Sequence, residues 1–188
     1  MAKRVLFFAY GVVSYLIFFG TFLYAVGFIG GFAVPTRLDG APRGPLAAAL
    51  AVDAGLLALF AVQHSLMARR WFKEAWTRLV PTPIERSTYV LFSSLALLLL
   101  FWLWRPMGVT IWSVEDPLGA MTLRVLFGFG WALVLVCTFL INHFDLFGLR
   151  QVWLALLGRP YTAVPFATPG PYRLVRHPLY VGWFFASG

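Results

Sequence analysis

Gly170-Pro171-Tyr172-Arg173-Leu174-Val175-Arg176-His177-Pro178-Leu179-Tyr180-Val181-Gly182 runs directly into the apolar Trp183-Phe184-Phe185-Ala186. It is a polar, backbone-constrained segment opening an apolar helix, and it sets the reading of everything before it. Pro178 disfavours helical backbone at His177 and suits the first turn of the helix that follows. His177 is therefore expected at the helix mouth. The unpaired N–H groups of such a mouth favour an anion, and Arg176 adds a formal positive charge. Tyr180 falls on roughly the same face as His177. Gly182 leaves room for a ligand or for a neighbouring helix. The plainer alternative is an interfacial anchor, with Arg and Tyr at headgroup level and Pro as a helix start.

Outward from that stretch the chain is apolar. Of its 188 residues 61% are hydrophobic and 12% charged, and the mean hydropathy is +0.80. Such a composition belongs to a polytopic membrane protein rather than to a soluble domain. The fold class expected is an all-α helix bundle in one transmembrane domain, residues 1–188. It has four full spans, at about 5–31, 46–67, 89–104 and 123–141, and the start of a fifth near 178. The first span exceeds what a bilayer requires and must tilt or lie partly in the interface. Between spans, residues 35–45 read as a Pro/Gly loop, Ala68 to Thr88 as a basic connector, and residues up to Thr122 as a loop. Leu146 to Thr168 reads as an interfacial or re-entrant segment.

The net charge of +8 could suggest nucleic acid, but the basic residues sit in short patches between apolar runs. They fit topology and anionic lipid instead. Eleven of the fifteen Lys and Arg fall on one side: residues 3–4, the Ala68–Thr88 connector and everything after His143. That side is expected in the cytoplasm, with the N-terminus. His64, His143, Asp145 and the Arg176-His177 pair are then expected to gather at the cytoplasmic ends of the spans, open to a water-soluble cofactor. Cys137 lies inside an apolar run and reads as core packing, since one cysteine makes neither a disulfide framework nor a zinc site. No cleavable signal peptide is evident.

Asp53 and His64 are eleven positions apart, close to three turns, so both lie on one face of the second span, roughly 16 Å apart. An ionisable group inside a span is a functional candidate, and a polar contact between helices is the plainer role. Asn142-His143-Phe144-Asp145 closes the fourth span. There His143 could act as base or cofactor contact, Asn142 and Asp145 as substrate or orienting groups, or all as a solvated helix end. The three histidines have no ligand spacing among them, so no metal site is expected. Glu85-Arg86 reads as a surface pair at the start of the third helix.

Arg-His-Pro-x-Tyr-x-Gly at the mouth of a late membrane helix resembles the signature of integral-membrane methyltransferases of the isoprenylcysteine carboxyl methyltransferase type. Three further stretches narrow the likeness. Val62-Gln63-His64-Ser65-Leu66-Met67-Ala68-Arg69, Glu85-Arg86-Ser87-Thr88-Tyr89-Val90-Leu91 and Asn142-His143-Phe144-Asp145-Leu146-Phe147-Gly148-Leu149-Arg150-Gln151 resemble the bacterial nurim-family branch. Within it they are most similar to the thiol-methylating members that act on methanethiol. The resemblance spans essentially the whole chain. It implies methyl transfer from S-adenosyl-L-methionine to methanethiol, and also to hydrogen sulfide, in a bacterial inner membrane. It implies Arg176, His177, Tyr180 and Gly182 at the cofactor pocket. The wider superfamily continues past this motif with more helix and a C-terminal acidic motif, so the chain is expected to be a C-terminally truncated copy.

A thiolate nucleophile requires a base or a nearby positive charge, and His64 and His143 are the candidates. The partners expected are a small thiol and the lipid bilayer, with no nucleic acid. Two other readings stand beside this one: a membrane methyltransferase acting on a prenylcysteine or lipid-borne group, and a non-enzymatic nurim-like membrane protein. A haem or quinone carrier using His64 and His143 is more distant.

Overall fold

A computed structural model describes residues 1–108, 112–165 and 169–187. Among them all regular structure is helical. In chain order it comprises α1 (Ala2–Gly30), α2 (Leu46–Ala68), α3 (Arg70–Trp76), α4 (Thr82–Leu103), α5 (Pro117–Ile141), α6 (His143–Leu146), α7 (Leu149–Leu156), a 3-10 turn (Gly170–Arg173) and α8 (Pro178–Ala186). Helices α1, α2, α4 and α5 are each long and apolar enough to cross a bilayer, whose hydrocarbon core needs about 20 residues of helix. Their outward side chains, such as Leu6, Leu57, Val62, Val125 and Phe139, stay exposed. In water such a surface would be a liability, whereas in lipid it is the face that meets the solvent. The chain is an integral membrane protein.

The helix ends have local causes. Helix α1 stops at Gly31, whose left-handed backbone (φ 73°) lets its N–H return to the Gly27 carbonyl. Helix α5 starts because Asp116 accepts a hydrogen bond from the Gly119 N–H at 2.7 Å, with Pro117 in the first turn. It therefore begins five residues before the end that hydropathy assigns to the preceding loop. Helix α4 likewise begins at Thr82 with Pro83 in its first turn, so the connector expected to reach Thr88 is shorter and also contains α3. In both places a proline that reads as a breaker opens a helix. Helix α7 occupies the middle of the mixed Leu146–Thr168 stretch. Residues 109–111 of the expected loop, 166–168 at the end of that stretch, and 188 lie outside the described residues.

The described residues form two compact units. The first comprises Met1–Gly108 and Phe147–Thr162. In it α1 packs on α4 and α7, and α2 on α4 and α3. Polar groups inside it are satisfied locally: the Tyr10 hydroxyl donates to Thr88 Oγ1 at 3.0 Å, and the Ser14 and Thr21 hydroxyls donate to carbonyls one turn back on α1. Rings fill the remaining space. Phe18 stacks on Phe147 with centroids 3.8 Å apart, and Phe28 packs against Phe101 and Trp104. The Trp104 indole donates to the Leu38 carbonyl at 3.0 Å, fixing the loop after α1 to the end of α4.

The second unit takes the described residues of Val109–Leu146 and Ala163–Gly188. Here α5 and α8 meet backbone to backbone. A Cβ placed on Gly130 would lie 2.5 Å from the Ala186 nitrogen and 2.7 Å from the Gly182 oxygen, and one on Gly182 would lie 3.0 Å from the Gly130 oxygen. Small residues permit such approach where lipid offers no hydrophobic drive between helices. Trp131 and Trp183 meet edge to face beside the crossing, 5.2 Å between centroids, as do Phe129 and Phe185 at 5.8 Å.

Candidate active site

His64 and Asp53 belong to the first unit. Both turn toward α4 or its end, as their spacing on one helix face requires, but they stay separate along α2. His64 is exposed. The Tyr89 hydroxyl lies 3.0 Å from both ring nitrogens, and the Ser93 hydroxyl 3.2 Å from Nδ1. Phe60 stacks along the other side of the ring, 5.3 Å between centroids. The arrangement sets an imidazole beside two hydroxyls that can each donate or accept, while leaving it reachable. Asp53 is 3% exposed. Its Oδ1 accepts the backbone N–H of Arg105 at 3.0 Å, which ties the chain leaving α4 to mid-α2.

Tyr89 and Ser93 were absent from the sequence-derived candidates. They stand one turn apart on α4, facing the same way, and hydropathy hides them because the run around them is Leu, Val and Phe. The polar pair at i, i+4 within that run is the signal that could have found them.

The second unit holds the other candidates. His143 opens α6 and is 1% exposed. Its ring stacks on Phe139 at 4.1 Å and 3°. Thr138 Oγ1 sits 2.7 Å from His143 Nδ1 and also donates to the Leu135 carbonyl at 2.7 Å. With its one proton used on that carbonyl, the hydroxyl accepts from Nδ1–H. This assigns the tautomer and leaves Nε2 as the basic nitrogen. Burial lowers the His143 pKa from its ordinary value of 6.5, so the ring is neutral at pH 7.

That displacement predicts a pH dependence. Below about pH 6.5 the unfolded chain takes up a proton that folded His143 resists, so stability falls as pH drops from 7.5 toward 5. Thermal melts of detergent-solubilised protein should show this, and His143→Gln should flatten the slope. An unchanged slope in that variant would place the acid sensitivity elsewhere.

Asn142 has φ 139°, a backbone region that costs about 1–3 kcal/mol for a non-glycine residue. Its carbonyl accepts from Asp145 N at 3.1 Å and Leu146 N at 2.9 Å, and its side-chain Oδ1 accepts from Asp145 N at 3.2 Å. Asn142 thus builds the sharp corner between α5 and α6, and Asp145 is the N–H partner of that corner. In this unit the Tyr172 phenol is pushed up to about 12 by burial and by the adjacent Cys137 thiol, so it stays protonated at physiological pH.

His177 sits just before α8 with non-helical backbone (φ −137°, ψ 69°) and Pro178 follows in the first turn, as the dipeptide requires. The Tyr180 N–H bonds the His177 carbonyl at 3.0 Å. Their rings meet at 5.3 Å. Arg176, His177 and Tyr180 are all exposed. Together they present a guanidinium, an imidazole and a phenol at one helix mouth, a set suited to an anionic group carried next to a flat ring. Gly182 is buried, and the space beside it is taken by α5. Among the described residues no group of three His, Cys, Asp or Glu is placed to hold a metal ion.

The chain is 58% identical to the methanethiol S-methyltransferase of Crocosphaera subtropica over 175 residues, which is 93% of this chain and 69% of that protein. The chain belongs to the methanethiol S-methyltransferase family. It is 54% identical to the Mycobacterium tuberculosis methanethiol S-methyltransferase over 98% of this chain and 75% of that one. It is 31% identical to human nurim over 96% of this chain and 77% of that protein, so the nurim relation holds as well. No protein-family model matches the chain, and no solved structure matches it.

Proposed function

We propose that this chain carries the methyl transfer of its family, from S-adenosyl-L-methionine to methanethiol, with dimethyl sulfide as product. The observation that carries the reading is the 58% identity to a methanethiol S-methyltransferase along 93% of the chain. When bound, S-adenosyl-L-methionine supplies an electrophilic methyl on a sulfonium centre: the thiolate sulfur forms the new C–S bond as the donor C–S bond breaks, and its electron pair stays with the departing sulfur. The chain must deprotonate the thiol, align it and exclude water.

His64 is the group we assign to the proton. It is exposed where His143 is sealed by Phe139 and Thr138, and its two hydroxyl neighbours can pass on a proton or hold the ring. Arg176 is assigned to the carboxylate of the donor, with His177 and Tyr180 beside its ring system. His143, Asn142 and Asp145 shape the α5–α6 corner, and Asp53 anchors the end of α4. The topology goes with this reading: a bacterial inner membrane with the N-terminus in the cytoplasm, on the side richer in Lys and Arg.

Headspace gas chromatography of cells expressing the full-length protein, with and without methanethiol, tests the activity, and dimethyl sulfide is expected only with both. Its absence, with protein present in the membrane, overturns the assignment and favours a nurim-like structural role. Arg176→Ala should raise KM for S-adenosyl-L-methionine by about 10- to 100-fold, the loss of one charge-assisted hydrogen bond, with kcat for saturating donor little changed. An unaltered KM would remove Arg176 from the donor site.

A further inference from the structure

A cavity in the first unit is lined by residues other than His64. It measures about 940 Å³ and opens where the starts of α1 and α4 meet the end of α7. Lys3, Arg4, Arg86 and Arg159 line it against one carboxylate, Glu85. Among the described residues none of these four cations has an ion pair; the exposed Arg70–Glu74 contact, outside the cavity, is the one described. Unpaired cations around a hollow are set for an anion.

The cavity is built around its charges. Gly158 has φ 71°, and a Cβ there would lie 2.5 Å from Arg4 Nη1, so any other residue would strain the backbone and displace that guanidinium. Arg86 is half-buried and lies over the Tyr89 ring at 5.9 Å, which holds its head at the rim. Thr82 and Pro83, the first residues of α4, line the same space.

The apolar remainder says which anion. Phe7, Pro83 and Ala155 share the lining with the cations. Directly beside the cavity the outer face of α1 continues as lipid-facing sequence, with Leu6 68% and Val13 54% exposed. A phosphate with an apolar body attached fits both halves, whereas a bare ion would use one. The cavity also lies at the ends of membrane-spanning helices, which is headgroup depth.

We propose that this cavity is a binding site for the phosphate headgroup of an anionic phospholipid, held by Arg4, Arg86 and Arg159, none of which is assigned a part in the methyl transfer. Native mass spectrometry of the full chain in detergent, titrated with phosphatidylglycerol or phosphatidylcholine, tests it. Phosphatidylglycerol should be retained in preference to phosphatidylcholine. Each cation near the surface contributes about 1 kcal/mol toward anionic lipid, so the double variant Arg4→Gln/Arg159→Gln should weaken retention roughly 30-fold. Arg70→Gln/Lys73→Gln, which removes two cations outside the cavity, should leave it unchanged.

Gly158→Ala supplies a second variant that keeps every charge but moves Arg4, and it should also lower retention, with circular dichroism verifying the helices. Equal loss in both double variants would reduce the effect to general surface charge and overturn the site. Displacement of the lipid by millimolar inorganic phosphate would overturn the lipid assignment. Displacement by S-adenosylhomocysteine would make the cavity the donor pocket and overturn the proposal as well. None of these readouts depends on dimethyl sulfide formation, so the site and the enzymatic assignment stand or fall separately.

Discussion

Replacing His64 with alanine in the full-length protein should lower dimethyl sulfide formation by about 10²- to 10⁴-fold, the usual contribution of a positioned acid–base group. An alkyl thiol is mostly protonated near neutral pH, and its thiolate is the nucleophile. The step that needs protein help is therefore loss of the proton. His64 is the exposed imidazole of the first unit, with the Tyr89 hydroxyl within reach of both its nitrogens and Ser93 beside Nδ1.

Two controls separate a base from a structural contact. A more acidic thiol, already ionised, should recover much of the His64→Ala rate, because it no longer depends on the base. Tyr89→Phe keeps the ring and removes the hydroxyl, and should alter the pH–rate profile with a smaller loss of rate. Wild-type turnover in His64→Ala, or an acidic thiol that is equally slow, would remove His64 from the chemistry.

The second large effect is structural. Gly130→Ala puts a methyl 2.5 Å from the Ala186 nitrogen and 2.7 Å from the Gly182 oxygen. Backbone atoms on the far side cannot rotate away as a side chain would, so α8 must shift bodily. The cost should reach or exceed the ~1–3 kcal/mol typical of overpacking, and the melting temperature and α5–α8 cross-linking should both fall. Gly128→Ala is the matched control: it lies two residues away on the same helix, and its Cβ would meet nothing within 4 Å. Alanine there should be neutral or stabilising through helix propensity, by up to about 1 kcal/mol. Equal behaviour of the two variants would show that the crossing is looser than described.

The spans were legible because bilayer physics imposes an unbroken apolar run, and α1, α2 and α5 follow such runs. The Pro178 step was legible because proline restricts its predecessor, and His177 does take non-helical backbone. Less was visible where charge and helix coincide. Arg70–Trp76 and the first turns of α4 carry polar residues, so hydropathy reads them as connector, yet Pro83 and the Asp116-Pro117 pair are helix starts on capping grounds. The surroundings of His64 were hidden for another reason: Tyr89 and Ser93 are distant in sequence and meet His64 only when α4 packs on α2. Gly182 could be read as space for a ligand or for a helix, and only packing decides that α5 takes it. Asn142 looked like site chemistry, and its residue type also answers a backbone demand, since asparagine tolerates positive φ better than most residues.

The Gly130–Gly182 crossing has a consequence for how the protein is assembled in the membrane. Synthesis delivers α5 before the Arg-His-Pro stretch. When Pro178–Ala186 arrives, the surface that receives it is the α5 backbone at Gly130, flanked by the Val134 side chain. Such a joint tolerates little rotation or sliding, because either movement drives main-chain atoms together. The docking of α8 therefore sets the bearing of Arg176, His177 and Tyr180 at the moment of insertion, before any ligand is present to guide them. A defect at Gly130 should accordingly register first as chain turned over by membrane quality control, and only then as lost turnover in the molecules that survive.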